Sequence, residues 1–295
     1  MKQRVPSIFS LSLIVFTGFV LGFTLIDFLM KPLFGVGLVD FYAEFQMMPQ
    51  AYHTAGHRFV ACMQQVFMFL IPGIYFYRRY KRQEEAILFI PQKHQLLLIP
   101  AVLFFLYPVV ALSTYVGMYL PFGEWFPSNE MGEIIIQQMI LEADGVLTPY
   151  FNVFLLCMLP AVGEELIFRY ALQGRILGAK MAPESAIFLT AFIFSAIHME
   201  ALGFLPRLVM GLVLGYVYHY SQNILVPMIL HALNNYMSIL SVKAGGLFFE
   251  NWLEDLLGEG SMLVLFLFVV GAVNVILLLP RFKSQMRIKK PLPIS

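Results

Sequence analysis

The sequence contains few charged residues. Only 13% of its 295 residues are Asp, Glu, Lys or Arg, whereas soluble domains average roughly 25%. The 19 basic and 18 acidic residues nearly cancel, and no long basic stretch is present. This balance argues against nucleic-acid binding, which needs a positively charged surface. With 59% hydrophobic residues, the chain also has too few polar side chains to cover a soluble protein.

Cysteine and several catalytic motifs are scarce or missing as well. Cys62 and Cys157 each lie within a charge-free stretch, and no CxxC or CxH spacing occurs. A disulfide framework and a thiolate zinc site are therefore excluded. The spans carry no GxSxG motif, Ser/Lys pair or paired aspartates, which argues against serine and aspartyl intramembrane proteases. There is no GxxxxGK[ST] phosphate-binding loop either.

The charges that are present delimit long apolar segments. Charge-free runs cover residues 5–26, 59–77, 94–123, 145–163, 208–242 and 260–280. About 20 apolar residues cross a bilayer as a helix, so we predict an all-α, polytopic membrane helix bundle. The N-terminal apolar stretch is too long for a signal peptide and is interpreted as a retained span. We predict eight transmembrane helices, near residues 7–30, 59–77, 95–120, 146–170, 184–200, 203–220, 224–242 and 261–280.

Basic and acidic connecting segments alternate along the chain. Segment 78–94 and the tail after residue 280 are basic, whereas segments 121–145 and 243–260 are acidic. Because Lys and Arg favour cytoplasmic loops, this pattern predicts that both termini are cytoplasmic. We expect a multi-pass protein of the cell membrane, built as one membrane domain without a soluble module.

Polar residues inside the predicted spans are costly, and they concentrate in spans four, five and seven. Glu165 and Arg169 are four residues apart on one helical face, which predicts an ion pair. Glu164 is turned about 100° from Glu165 and lacks a predicted partner. An unpaired carboxylate inside a membrane favours a functional role.

Helical geometry predicts that residues from these three spans meet. If spans four and five form a hairpin turning at 179–183, Glu164 and His198 both lie about 21 Å from the turn. His231 and Asn235 share one face of span seven at similar depth, whereas Asn234 is expected to face elsewhere and to bond between helices. Each histidine taken alone could serve only as an interhelical hydrogen-bonding group.

Together these groups can support two kinds of chemistry. A carboxylate can take a proton from water that an imidazole holds, while His and Asn donors stabilise an oxyanion. Alternatively, Glu164, His198 and His231 could bind Zn²⁺ and leave an open coordination position.

Three motifs carry a family resemblance. Glu164-Glu165-x-x-x-Arg169, Phe194-x-x-x-His198 and His231-x-x-x-Asn235 resemble, in order and separation, the signature of the CPBP family of intramembrane proteases. That family groups type II CAAX prenyl endopeptidases with bacteriocin-processing and abortive-infection-like proteins. The resemblance covers about residues 146–242 and implies that they form the catalytic core, between N-terminal helices (1–145) and an outer acidic loop, last span and basic tail (243–295).

The resemblance implies a glutamate-dependent endopeptidase. Glu164 would activate water, His198 would orient it, and His231 with Asn235 would form the oxyanion hole. Supporting roles would fall to Glu165 and Arg169. The implied partners are the bilayer and a membrane-associated or lipidated peptide or protein of CAAX or bacteriocin type, and no nucleic acid.

No cofactor is favoured, and zinc remains the alternative. The HExxH motif is absent, and an Asn in the last motif suits an oxyanion donor better than a zinc ligand. Two further functions stay open. A proton-coupled transporter would place discontinuous helices in both halves, whereas the polar residues lie in the second half. A non-catalytic immunity or scaffold protein would not need this intact polar set.

Overall fold

The computed structural model describes residues 6–47, 51–80, 90–117, 119–121, 141, 145–243 and 262–283. Within these ranges every regular element is a helix, which confirms the all-α prediction. The elements in chain order are α1 (Ile8–Phe34), α2 (Leu38–Met47), α3 (Ala51–Gln64), α4 (Ile71–Tyr80), α5 (Lys93–Gly117), α6 (Thr148–Val153), α7 (Leu159–Glu165), α8 (Pro183–Ala196), α9 (Ala201–Ser221), α10 (Leu225–Lys243) and α11 (Met262–Leu278).

Short non-α segments extend or join several helices. A π-helix connects α3 to α4, a second connects α6 to α7, a third continues α7, and a 3₁₀ turn follows α11. Their bounds are Gln65–Leu70, Phe154–Met158, Leu166–Leu177 and Leu279–Phe282.

Apolar helices occur at all the predicted positions. Five are long and apolar enough to cross a membrane: Ile8–Phe34, His53–Tyr80, Lys93–Gly117, Thr148–Leu177 and Ala201–Ser221. Shorter apolar helices cover Pro183–Ala196, Leu225–Leu240 and Phe266–Phe282. Most residues of the acidic segments 121–145 and 243–260, and many of those in the basic segments, lie outside the described residues. The number of eight spans and the cytoplasmic termini therefore stay predictions.

Local sequence explains where α1 begins and ends. Ser7 and Ser10 form a reciprocal capping box, with side-chain oxygens 3.0 and 3.1 Å from the partner backbone nitrogens. These bonds satisfy donors that a helix N-terminus leaves unpaired. Gly35 ends the helix at φ +82°, a left-handed conformation that glycine adopts without steric cost.

Pro160 shapes the helix that carries the candidate carboxylates. Proline has no N–H, so the carbonyl of Leu156 loses its α-helical donor, and the chain before Pro160 is π-helical. The side-chain amide of Asn235 donates to this freed carbonyl at 3.4 Å. The interruption of the α-helical hydrogen bonds in span four thus provides an acceptor for a hydrogen bond from α10.

The distribution of apolar and charged side chains is the reverse of that in a soluble protein: apolar side chains are exposed and charged ones are buried. Large apolar side chains such as Phe9, Phe28 and Phe104 are 72–75% exposed, whereas Glu165 and Arg169 are fully buried. An apolar exterior suits hydrocarbon rather than water. With the apolar helices above, it describes an integral membrane protein.

Small residues allow the helices around the polar centre to approach closely. A Cβ added at Gly163 would lie 2.9 Å from the Cβ of Phe69, and one at Gly211 would lie 3.0 Å from the Cβ of Ala191. Glycine is common at such membrane-helix contacts because it lets backbones meet. The two contacts hold α7 against the π-helix that follows α3, and α9 against α8.

Candidate active site

A cavity of about 540 Å³ opens between α5, the π-helix that follows α3 and the helices of the second half of the chain. Glu164, His198, His231 and Asn235 all line this cavity. The structure therefore brings together the four residues that the motifs single out. The hairpin geometry is also observed, because the span-four helix ends at Leu177 and α8 begins at Pro183.

Glu164 presents its carboxylate to the cavity and to two polar neighbours. Gln65 Nε2 donates to Glu164 Oε1 at 3.3 Å. His231 Nε2 lies 3.9 Å from Glu164 Oε2. Glu164 is only 5% exposed, so these groups and the cavity make up its polar surroundings.

Glu165, the residue after Glu164, forms a buried network of polar contacts. Its Oε2 is 3.1 Å from Arg169 Nε, which confirms the predicted ion pair. Its Oε1 is 2.9 Å from His231 Nδ1. Arg169 also donates to the Gly211 carbonyl at 3.3 Å and lies 4.8 Å from the ring centre of Phe194. One carboxylate thus holds an arginine and a histidine from two different helices.

The orientation of His231 follows from this contact. An ionised carboxylate only accepts hydrogen bonds, so Nδ1 carries the proton that it shares with Glu165. The other ring nitrogen, Nε2, is directed towards Glu164. Glu165 thereby fixes which nitrogen of His231 is available at the cavity.

His198 is held in place by the end of α8. Its Nδ1 is 2.7 Å from the Phe194 carbonyl, which can only accept, so Nδ1 carries a proton and Nε2 remains an acceptor in the neutral ring. Met199 turns the chain at φ +55°. Ser195 Oγ donates to the Phe204 carbonyl, which ties α8 to the start of α9.

Several cavity residues escaped the sequence analysis. Gln65 was not singled out, but it lies within the helical segment His53–Tyr80 and contacts Glu164. Its signal was a polar side chain inside a charge-free run. Glu200 and Arg207 also line the cavity and pair with each other. The cavity further includes Tyr107, Thr114, Asn234 and Ser238.

The prediction for Asn234 was wrong. It was expected to face away from the polar centre and to bond between helices, yet it lines the cavity. The neighbouring Asn235 makes the interhelical bond, to Leu156, while lining the cavity as well. The π-helix before Pro160 contains the acceptor, the Leu156 carbonyl, to which Asn235 donates.

Glu164, His198 and His231 are the side chains that would hold a zinc ion. Within the described residues, no three His, Cys, Asp or Glu side chains are grouped so that they could hold a metal ion. Nδ1 of His231 is engaged by Glu165 and Nδ1 of His198 by a carbonyl, an arrangement that metal-bound histidines share, so these contacts do not decide the question and the spacing of the three side chains does. Glu164, His198 and His231 do not fit a preformed zinc site in this arrangement.

Comparison with known proteins identifies one family. Residues 146–237 match the family described as Type II CAAX prenyl endopeptidase Rce1-like. Neither a curated protein nor a solved structure matches the chain significantly. The matched segment contains all three motifs, so the resemblance drawn from them is confirmed. The first 145 residues lie outside the match.

Proposed function

Because residues 146–237 carry the domain of the type II CAAX prenyl endopeptidase family, a family of intramembrane proteases, we propose that this protein is a glutamate-dependent intramembrane endopeptidase. One observation carries the proposal. The carboxylate of Glu164 lines a cavity together with two imidazoles and three side-chain amides. These are the groups that water-dependent hydrolysis of a peptide bond requires.

Glu164 acts as the general base. Its Oε2 takes a proton from a water molecule as the water oxygen attacks the carbonyl carbon of the scissile bond. The same carboxyl then delivers the proton to the departing amide nitrogen, and the C–N bond breaks. The products are a carboxylate and an amine. The amide of Gln65, 3.3 Å from Oε1, holds the carboxylate so that Oε2 faces the cavity.

His198 orients the water. Its Nδ1 donates to a backbone carbonyl, so Nε2 accepts the second water proton. A water molecule that donates to both Glu164 and His198 keeps an oxygen lone pair free for attack. This assignment depends on the tautomer that the Phe194 carbonyl selects.

His231 and Asn235 stabilise the oxyanion. For Nε2 of His231 to donate while Nδ1–H stays on Glu165, the ring must carry both protons. The carboxylate of Glu165, 2.9 Å away, balances that charge. Asn235 uses one N–H on Leu156 and has a second for the oxyanion. Such preorganised donors typically contribute 10²–10³ in rate each.

The substrate is a membrane-associated or lipidated peptide or protein. The cavity is walled by apolar side chains between its polar groups, including Leu156 and Met210. The outer faces of the surrounding helices are apolar, so a lipid-anchored chain can reach the cavity from the bilayer. We place the protein in the cell membrane.

A cleavage assay tests the mechanism. The purified protein in liposomes is given a fluorogenic farnesylated peptide ending in a CAAX-type sequence. We expect Glu164→Ala and Glu164→Gln to lose at least about 10²-fold in rate, the lower end for general-base catalysis, and His198→Ala to lose activity strongly. Glu184→Gln, the same change at an exposed position, should behave as wild type. Unchanged cleavage by Glu164→Ala would refute the mechanism.

A chelator distinguishes the zinc alternative. We expect 1,10-phenanthroline to leave cleavage unchanged, because the base and the oxyanion donors are side chains of the protein. Loss of activity on chelation, restored by added Zn²⁺, would instead favour the metal-dependent version.

A further inference from the structure

Arg207 and Glu200 form an ion pair in the cavity that the proposed hydrolysis does not use. Nη2 of Arg207 contacts Oε2 of Glu200, and both side chains line the cavity. Glu200 lies immediately before α9, and Arg207 lies two turns into it. Glu200 belongs to the short turn between α8 and α9, which also carries His198.

Only part of the Arg207 guanidinium has a hydrogen-bond partner. Nη1 is buried and has no hydrogen-bond acceptor. A Cβ added at Gly203 would overlap Nη1 and Cζ, so the guanidinium lies directly over the backbone of α9. The missing side chain at Gly203 keeps it there, beside the cavity.

An arginine with one unpaired Nη group beside a largely apolar cavity is suited to bind an anion. Guanidinium presents parallel N–H donors that match the two oxygens of a carboxylate. Burying such a donor without an acceptor costs free energy, and a second carboxylate would remove that cost. Glu200 is 19% exposed and Arg207 is 27% exposed, so their contact can exchange.

The position of Arg207 suits substrate orientation. Arg207, Glu164 and Glu200 all lie close enough to His198 to interact with it electrostatically. A substrate carboxylate would be repelled by the carboxylates of Glu164 and Glu200. Among the described residues that line this cavity, Arg207 is the one Arg or Lys, and the positive charge proposed for His231 is already balanced by Glu165. Arg207 would draw the carboxylate to one end and leave the scissile bond near Glu164.

We propose that Arg207 binds a carboxylate of the substrate, with Glu200 as the partner that this carboxylate displaces. The proposal rests on the proposed function for the identity of the substrate. The bound group is either the C-terminal carboxylate of the peptide or an acidic side chain near the cleaved bond. Both have the same chemistry, and matched peptides distinguish them.

The test uses one farnesylated peptide in three forms: a free C-terminus, a C-terminal amide, and a Glu-to-Gln exchange beside the scissile bond. We expect wild type to show a KM about tenfold or more lower for the form that keeps the recognised carboxylate, as for a charged hydrogen bond. Arg207→Gln should remove this preference, so that the three peptides have the same KM. Glu200→Gln should lower KM for the carboxylate peptide, because the competing group is gone.

Measurements of peptide affinity test the carboxylate site independently of the proposed catalytic mechanism. The affinity of Glu164→Gln protein for the same peptides, fluorescently labelled, is measured without and with Arg207→Gln. A carboxylate preference that disappears with Arg207→Gln supports the site even if wild type cleaves none of the peptides. Equal affinity for all three forms, or a preference that survives Arg207→Gln, overturns it. Arg78→Gln, at an exposed arginine outside the cavity, is the matched control.

Discussion

The buried ion pair between Glu165 and Arg169 leads to a quantitative prediction. Both side chains are 0% exposed, and Arg169 Nε lies 3.1 Å from Glu165 Oε2. At an effective dielectric constant of about 20, Coulomb's law gives an attraction of about 5 kcal/mol at this distance. Removing one partner of a buried pair typically costs about 3–5 kcal/mol because the other charge stays buried. We expect Glu165→Gln to lower the free energy of unfolding by that amount.

Neutralising both partners should restore stability without restoring activity. Adding Arg169→Met to Glu165→Gln removes the stranded cation, and neutral replacements of buried pairs are often as stable as the pair. His231 would still face a neutral amide instead of a carboxylate at Nδ1. We therefore expect the double variant to recover most of the unfolding free energy and to remain as poorly active as Glu165→Gln.

The assay is chemical unfolding of the purified protein in detergent micelles. Unfolding is followed by the reaction of Cys157, whose side chain is 1% exposed, with a thiol-reactive dye in a Cys62→Ser background. Glu184→Gln serves as the control at an exposed carboxylate. The reasoning is refuted if Glu165→Gln unfolds within about 0.5 kcal/mol of the background protein, the range of ordinary surface substitutions.

Two further predictions concern the support of Glu164. Gln65→Met should lower kcat about tenfold or more with little change in KM, because a hydrogen bond to a charged group is lost; an unchanged kcat would contradict this positioning role. Gly163→Ala should cost about 1–3 kcal/mol of stability, because its Cβ would lie 2.9 Å from that of Phe69. It should also slow cleavage about 10²-fold by shifting the adjacent carboxylate. Gly37→Ala, whose added Cβ would lie 3.8 Å from Asp40 Oδ2, should leave cleavage unchanged.

Much of the fold was predictable because each cue is local. Uninterrupted apolar runs mark membrane helices through the cost of burying charge in hydrocarbon, and apolar helices occur at each predicted span. The pairing of Glu165 with Arg169 follows from helical spacing alone. The hairpin at 179–183 follows from where polar residues interrupt the apolar pattern. The catalytic roles assigned to these residues remain predictions.

The sequence by itself therefore determined the helical membrane architecture and the three motifs that meet at its centre, since these depend on composition and on spacing within single helices. Tertiary structure decided what surrounds Glu164. Gln65 is 99 positions away in the chain, and its contact exists only because Gly163 lets two helices touch. The Leu156 carbonyl in the π-helix before Pro160 decided which asparagine of α10 bonds to span four. Packing between distant segments, which no local pattern encodes, set these contacts and brought Arg207 into the cavity.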